Sequence, residues 1–259
     1  MIYIESFSNP RYKWLKGLAK SRNRRKEKVF LMEGRVEMEL ALRVGQVPTQ
    51  IYFTSTYVSE EEIQNLLSGR TVELVELSKV LFDSLAYQQV PGNFIAVFPS
   101  FETQPRSTDG LVVVLEGIEK PGNLGAVLRT CDALGIQQVI TTNAQVDLFN
   151  PNVIRNSRGA IFTVGCSSMT NEEALSFLKG EGRTLLAAAL SDGAVNYREI
   201  AQNSKYALVM GAESAGLTDF WLDQCDKHII IPIKGAVDSL NVSVSFAILA
   251  SYFVESAKD

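Results

Sequence analysis

Residues Leu111–Gly135 read LVVVLEGIEKPGNLGAVLRTCDALG, and their pattern decides the fold class. LVVVLEG (111–117) is a continuous apolar run, as expected of a parallel strand buried on both faces. A glycine-containing turn follows. Leu124, Val127, Leu128 and Cys131 then recur at helical spacing, predicting a helix from about Asn123 to Leu134 that Gly135 ends. The same rhythm continues outward. Strands are expected at QQVITT (137–142), TLLAAAL (184–190), YALVMG (206–211) and KHIIIPI (227–233), and helices near 151–157, 171–178 and from Asn241 to about Ser256. Strands alternating with crossover helices predict a mostly parallel α/β sheet covered by helices. In such sheets ligands bind beyond the carboxyl ends of the strands.

Upstream, PSFETQPRSTDG (99–110) carries two prolines and no apolar periodicity, so a boundary is expected there. This gives a small α/β module in 1–100, a linker in 101–109 and a second domain in 110–259. In the module, strands are expected at 29–33, 50–55, 71–76 and 93–98. Helices are expected at 36–45, at 60–67 and at 78–86, the last opened by a cap on Ser78.

An apolar fraction of 46% and a charged fraction of 21% suit a soluble globular chain. No apolar run reaches the ~20 residues that a membrane span needs. The start of the chain lacks the basic-then-apolar order of a signal peptide, so a cytoplasmic protein is expected. Cys131, Cys166 and Cys225 show no paired spacing, which favours free thiols over a zinc site. The net charge is −4, yet nine Lys/Arg lie between Arg11 and Lys28 against the single acid Glu27. Such a segment attracts phosphate even on an acidic protein, because screening keeps its field local. Arg11, Lys13, Arg22, Arg24 and Arg25 are therefore candidate RNA contacts, with Tyr12 and Trp14 as possible stacking rings. A solvated helix explains the same charges.

Three expected strand ends gather polar and glycine residues. In EGIEKPGNLGAVLRT (116–130), Gly122 and Gly125 suit a tight turn, and Arg129 could clamp a phosphate near a helix start. In LVMGAESAGL (208–217), Glu213 follows an apolar strand directly; it could bind an amine or hydroxyl, or simply be ion-paired. In IIIPIKGAVDSLNVSVSFAIL (229–249), Pro232 ends the strand, Gly235 permits a sharp loop, and Ser239 and Asn241 precede a helix they could cap. His228 is the one histidine, and its apolar strand argues for a structural role. Ser214 lies in G-A-E-S-A-G, offset from a hydrolase nucleophile elbow and without an evident His partner.

Together the loops resemble the motifs of the SpoU-type (TrmH-like) RNA 2′-O-ribose methyltransferases of the SPOUT superfamily. Asn123, Gly125 and Arg129 match N-x-G-x-x-x-R, and Gly211, Glu213, Gly216 and Leu217 match G-x-E-x-x-G-L. Ile231 through Val244 match the third motif almost completely. SNPRYKWLKGLAKSRNRRKEKVFLMEG in the first half looks like the substrate-binding domain often attached N-terminally. Glu119-Lys120 departs from the Asp that many members carry before Pro121. The resemblance implies a C-terminal sheet tied in a deep trefoil knot, S-adenosylmethionine as cofactor, no metal, and a homodimer with shared active sites. It implies cofactor contacts at Met210, Gly211, Gly216, Ile231, Pro232 and Leu240. It further implies Arg129 on the substrate hydroxyl or phosphate, oriented together with the cofactor by Asn123, Glu213, Ser239 and Asn241. A guanidinium is almost never neutral, so phosphate binding and charge stabilisation suit Arg129 better than a base role. The implied substrate is ribosomal RNA, with tRNA or a catalytically silent RNA-binding protein as alternatives.

Overall fold

The structure, a computed structural model, describes residues 2–87, 90, 92–101, 104–201 and 205–255. The chain divides into two units, Met1–Phe101 with Phe149–Phe162, and Glu102–Leu148 with Thr163–Asp259. The first runs β1 (Ile2–Ile4), α1 (Pro10–Gly17), α2 (Ser21–Glu27), β2 (Val29–Glu33), α3 (Arg35–Arg43), β3 (Gln50–Phe53), α4 (Glu60–Leu67), β4 (Glu73–Leu77), α5 (Lys79–Asp83) and β5 (Ile95–Pro99). Its sheet has the order β1-β4-β3-β5-β2, parallel except where β5 pairs with β3 and β2. Ser59 and Glu62 close a reciprocal capping box on α4, which satisfies two backbone donors at once. Ser78 stands at the cap position of α5 but makes no side-chain cap bond, so that expectation holds in place and not in mechanism.

The second unit runs β6 (Val112–Glu116), α6 (Pro121–Leu134) and β7 (Gln138–Thr142). Residues 149–162, including α7 (Pro151–Ser157), belong to the first unit. The chain then continues through β8 (Gly165–Met169), α8 (Asn171–Gly180), β9 (Thr184–Ala188), β10 (Val195–Asn196), β11 (Tyr206–Met210), α9 (Asp219–Gln224), β12 (Lys227–Ile230) and α10 (Val242–Glu255). The expected helix end at Ser256 lies outside the described residues, as do Glu102 and Thr103 of the expected linker. From Gln104 onward that stretch is strapped down: Arg106 N donates to Gln138 Oε1 (3.1 Å) and Ser107 Oγ to Glu181 (2.6 Å). The buried Arg183 guanidinium donates to the carbonyls of Thr108 and Gly110.

All pairings of this seven-stranded sheet are parallel, in the order β10-β12-β9-β11-β6-β7-β8. Val112 and Val114 pack with Leu185, Ala187, Val209, Leu178 of α8 and Trp221 of α9. The alternate residues Val113, Leu115, Leu208 and Met210 are equally buried. Both faces are thus covered, which is why these strands read as unbroken apolar runs. α10 packs against α6. Three elements carry no strong periodic signal: the Ser-rich edge strand β8, the two-residue β10 and the six-residue α9. Their pairing and packing come from the sheet around them. In the first unit, β2 alternates. Val29 and Leu31 pack on the cluster of Tyr12, Leu15, Tyr52 and Phe82, while Phe30 stacks on Phe98 (5.5 Å) and Phe149 (4.7 Å). Side chains of successive strand residues point to opposite faces, so five residues serve two clusters.

Candidate functional site

Because every strand of the second sheet is parallel, β6, β9, β11 and β12 present their carboxyl ends on one side, where the motif loops lie. Gly117 leaves β6 with φ +64°, and Pro121 opens α6. The tight turn therefore falls on Gly117. Gly122 and Gly125, expected to make it, are helical residues without positive φ, as is Gly235 of the later loop in having none.

After β11 the chain folds sharply back on itself. Ala212 and Gly216 exchange backbone hydrogen bonds (3.1 and 2.9 Å), with Gly216 at φ +69°. A Cβ on Gly211 would fall 2.1 Å from the carbonyl carbon of Gly216. Only glycine permits that approach. Glu116, buried at the end of β6, anchors the far side of the same loop. It accepts from Thr218 N and Oγ1 (both 2.8 Å), from Asn171 Nδ2 (3.1 Å) and from Asn143 Nδ2 (3.4 Å). A buried carboxylate is tolerable when so fully bonded.

Glu213 projects from this loop and is the centre of a polar cluster. Its Oε1 accepts from Asn123 Nδ2 (2.8 Å) and from Asn241 Nδ2, and its Oε2 accepts from the Lys120 ammonium. Asn241 Nδ2 also reaches Asn123 Oδ1 at 3.2 Å. The Lys120 hydrogen bond, and after it that of Asn123, hold the Glu213 carboxyl below the usual carboxylate range, against partial burial acting the other way. Asn241 also caps α10, since its Oδ1 accepts from Ser243 N (3.0 Å) and Oγ (2.6 Å). Asn241 thus caps the helix and joins the polar cluster at once. Each amide has its donor and acceptor ends fixed, which preorganises the group.

Beside the cluster is a cleft of about 680 Å³ lined by Met210, Gly211, Gly216, Ile231, Leu240 and mostly apolar neighbours such as Leu217, Ile229 and Leu249. Glu213, Ser239 and Asn241 also line it; Pro232 does not. Among the described residues Ser239 bonds its neighbour Asp238 alone (3.4 Å) and stands apart from the cluster. Arg129 is exposed on α6, and its guanidinium makes no hydrogen bond or ion pair among the described residues. The structure thus brings Asn123, Glu213 and Asn241 together and leaves Arg129 outside. Ser214 donates to Glu119 (2.7 Å), while His228 is engaged by Ser191 Oγ at Nδ1 (2.6 Å) and by the Leu222 carbonyl at Nε2 (2.9 Å). The two do not form a hydrolytic pair.

The basic segment of the first unit sorts differently from its sequence reading. Arg24 is buried and donates to the Leu18 and Ala19 carbonyls (both 2.9 Å), tying α2 back onto the end of α1. Arg11 pairs with Glu73 at 2.7 Å. Lys13, Arg22 and Arg25 are exposed. Tyr12 is a core residue bonded to Ser84 (2.9 Å), and Trp14 packs against the same core, so neither is a free stacking ring.

Sequence reasoning missed Lys120 and Glu116. Lys120 was visible only as a departure from a pattern, and its charge opposite Glu213 is the signal that could have found it. Glu116 looked like the polar end of an apolar strand; only the topology shows three segments converging on it, at Asn143, Asn171 and Thr218.

Among the described residues no three His, Cys, Asp or Glu side chains cluster as metal ligands, and no helix is long and apolar enough to cross a membrane. A family model described as the SpoU rRNA Methylase family matches residues 110–251, and one described as an MRM3-like substrate binding domain matches 9–96. The 23S rRNA (guanosine(2553)-2′-O)-methyltransferase RlmP of Bacillus subtilis is 30% identical over 249 residues, covering 96% of this chain and 98% of that protein. A solved RNA 2′-O ribose methyltransferase is 34% identical with a TM-score of 0.84, covering 99% of both chains. The AdoMet-bound rRNA methyltransferase from Sinorhizobium meliloti is 25% identical with a TM-score of 0.85, covering 96% of this chain and 95% of that one. With its motif loops at the carboxyl ends of a parallel sheet and the family match spanning its second half, the chain belongs to the SpoU rRNA methylase family, S-adenosylmethionine-dependent RNA 2′-O-methyltransferases.

Proposed function

We propose that the Asn123–Glu213–Asn241 cluster, at the rim of the apolar cleft, organises methyl transfer to a ribose 2′-hydroxyl of ribosomal RNA. That juxtaposition is the observation carrying the proposal. The cleft fits the family's cofactor: its volume lies in the range of small-molecule sites, and its mostly apolar lining with a few polar groups at the rim is of the kind such sites carry. Met210, Gly211, Gly216, Ile231 and Leu240 would hold the cofactor, with Pro232 shaping the strand end behind it. When bound, S-adenosylmethionine supplies a methyl group on a positively charged sulfur, so its departure needs no acid.

The chain's own residues then have to orient a hydroxyl and manage its charge. Glu213 is engaged by three donors and kept ionised by Lys120, which suits orientation better than proton abstraction. Asn123 retains donor and acceptor capacity for a ribose hydroxyl, while Asn241, with both its N–H groups and its carbonyl already bonded, holds Asn123 and Glu213 in place. Arg129, with an unengaged guanidinium, binds the neighbouring phosphate and stabilises charge on the attacking oxygen, whose proton passes to solvent water as the methyl bond forms; Ser239 serves the cofactor side. Such positioning accounts for several kcal/mol of a transfer barrier. Ribosomal RNA is favoured over tRNA by the Bacillus subtilis relative's substrate. Lys13, Arg22 and Arg25 supply phosphate contacts in the first unit, and the free cysteines Cys131, Cys166 and Cys225 support a cytoplasmic setting.

We also propose a trefoil knot and a homodimer. The knot is supported by chain order: β12 lies beyond β9, yet the chain returns from it to α10, against α6. The dimer is supported by α10, whose Phe246, Leu249 and Phe253 are buried while Val244 is 47% exposed and Ala247 and Ile248 are partly so. Arg129, outside its own chain's cluster, would serve the second copy. Purified mixed dimers test this. One Arg129→Ala copy paired with one Glu213→Ala copy should recover about half the wild-type rate, because one of two symmetric sites is whole. Mixed dimers as inactive as either parent would show that one copy supplies both residues.

A further inference from the structure

Tyr87 is 68% exposed, yet its position is fixed. Its backbone N–H donates to both carboxylate oxygens of Glu33 at the end of β2 (2.9 and 3.0 Å), and Asn93 Nδ2 donates to the same group (3.2 Å). Over its ring lies the guanidinium of Arg155 on α7, with Cζ 3.3 Å from the ring centroid. Arg155 is steadied by a hydrogen bond to Asn152. It meets no carboxylate among the described residues, whereas Arg158, just past the same helix, pairs with Glu37 at 3.2 Å. One ring face therefore carries a cation without a counter-charge, and the exposure leaves the other face to solvent.

We infer that Tyr87 and Arg155 form a stacking platform for an unpaired base of the RNA substrate. This rests on the RNA reading above. An aromatic face accepts any base, and a guanidinium on its back adds cation–π attraction and spare donors for a flanking phosphate. Charge complementarity selects an anionic, base-bearing ligand over an apolar peptide. Tyr87 lies within the stretch matching a substrate-binding domain and Arg155 within the methylase match, so both matched regions contribute to one platform. The rings of the basic segment cannot take this part, since Tyr12 and Trp14 are committed to the core.

Fluorescence anisotropy on the full chain tests it, with fluorescein-labelled decaadenylate and an abasic decamer of the same backbone as probes. Tyr87→Ala should weaken decaadenylate binding about tenfold, the scale of one lost stack. It should leave the abasic probe and the salt slope unchanged, with Tyr87→Phe near wild type. Arg155→Gln should weaken both probes and lower the salt slope by about one. Unchanged decaadenylate affinity in Tyr87→Ala, or an equal loss on the abasic probe, overturns the platform alone if the wild type binds and methylates RNA. A wild type that binds neither probe overturns the platform and the RNA reading together.

Discussion

The Glu213 cluster and the α1–α2 hairpin both bind charged side chains to the protein itself, but they leave different capacities behind. Arg24 donates inward to two backbone carbonyls and is closed off from solvent. Its charge completes a helix junction. Glu213 likewise has three donors, yet these are the side chains of Lys120, Asn123 and Asn241 set beside a cleft, and Lys120 and Asn123 keep hydrogen-bonding capacity of their own. Satisfying one group has oriented Lys120 and Asn123 without using them up. A polar network that stops at the backbone builds structure, whereas one that ends on amides at a cavity rim can meet a substrate.

The sharpest way to break this contrast is at Gly211. Gly211→Ala drives a methyl group into the Gly216 carbonyl, so the loop bearing Glu213 must open. We expect a loss of about 3 kcal/mol or more, the upper range of overpacking, and no calorimetric heat with S-adenosylmethionine; unaltered melting and binding would disconnect the loop from the cleft. A smaller effect separates the two arginines. Arg24→Ala should cost about 1–3 kcal/mol by leaving buried carbonyls unsatisfied. Arg25→Ala should leave denaturant unfolding unchanged while lowering the salt slope of RNA binding by about one. The reverse pattern would make Arg24 the RNA contact after all.

The smallest effect concerns pH. A carboxyl with a depressed folded pKa contributes above its unfolded value, and that contribution is lost as pH falls through the folded value. The acid limb of cofactor binding should therefore lie below the ordinary Glu range of about 4.3, and Lys120→Ala should move it upward. Because the Lys120 partner is largely exposed, solvent screens the pair and overall stability should barely follow. A limb unmoved by Lys120→Ala would leave the ion pair without influence on the site.

The parallel sheet was legible because strands buried on both faces lose their polar residues, and the loops were legible because motif spacing survives in the chain. What they touch was legible only in part. Asn123, Glu213 and Asn241 come from three segments, the outermost 118 residues apart, and parallel register brings them within hydrogen-bonding distance. Gly122 and Gly125 misled because a glycine followed by a helix resembles a turn, whereas Pro121 had already started that helix. In the basic segment, a run of nine cations said nothing about which helix face each occupies. Arg24 and Tyr12 turn inward on that account, and Tyr87, lacking any surrounding pattern, gave no signal.

The central claim is methyl transfer to a ribose 2′-oxygen, organised by the Glu213 cluster. It is tested most directly by incubating the chain with tritiated S-adenosylmethionine and unmodified 23S rRNA, then hydrolysing the product in alkali. A 2′-O-methyl group blocks cleavage of the adjacent phosphodiester, so the account predicts label in alkali-resistant dinucleotides, lost in Glu213→Ala. Label in mononucleotides, or dinucleotide label undiminished in that variant, would contradict it.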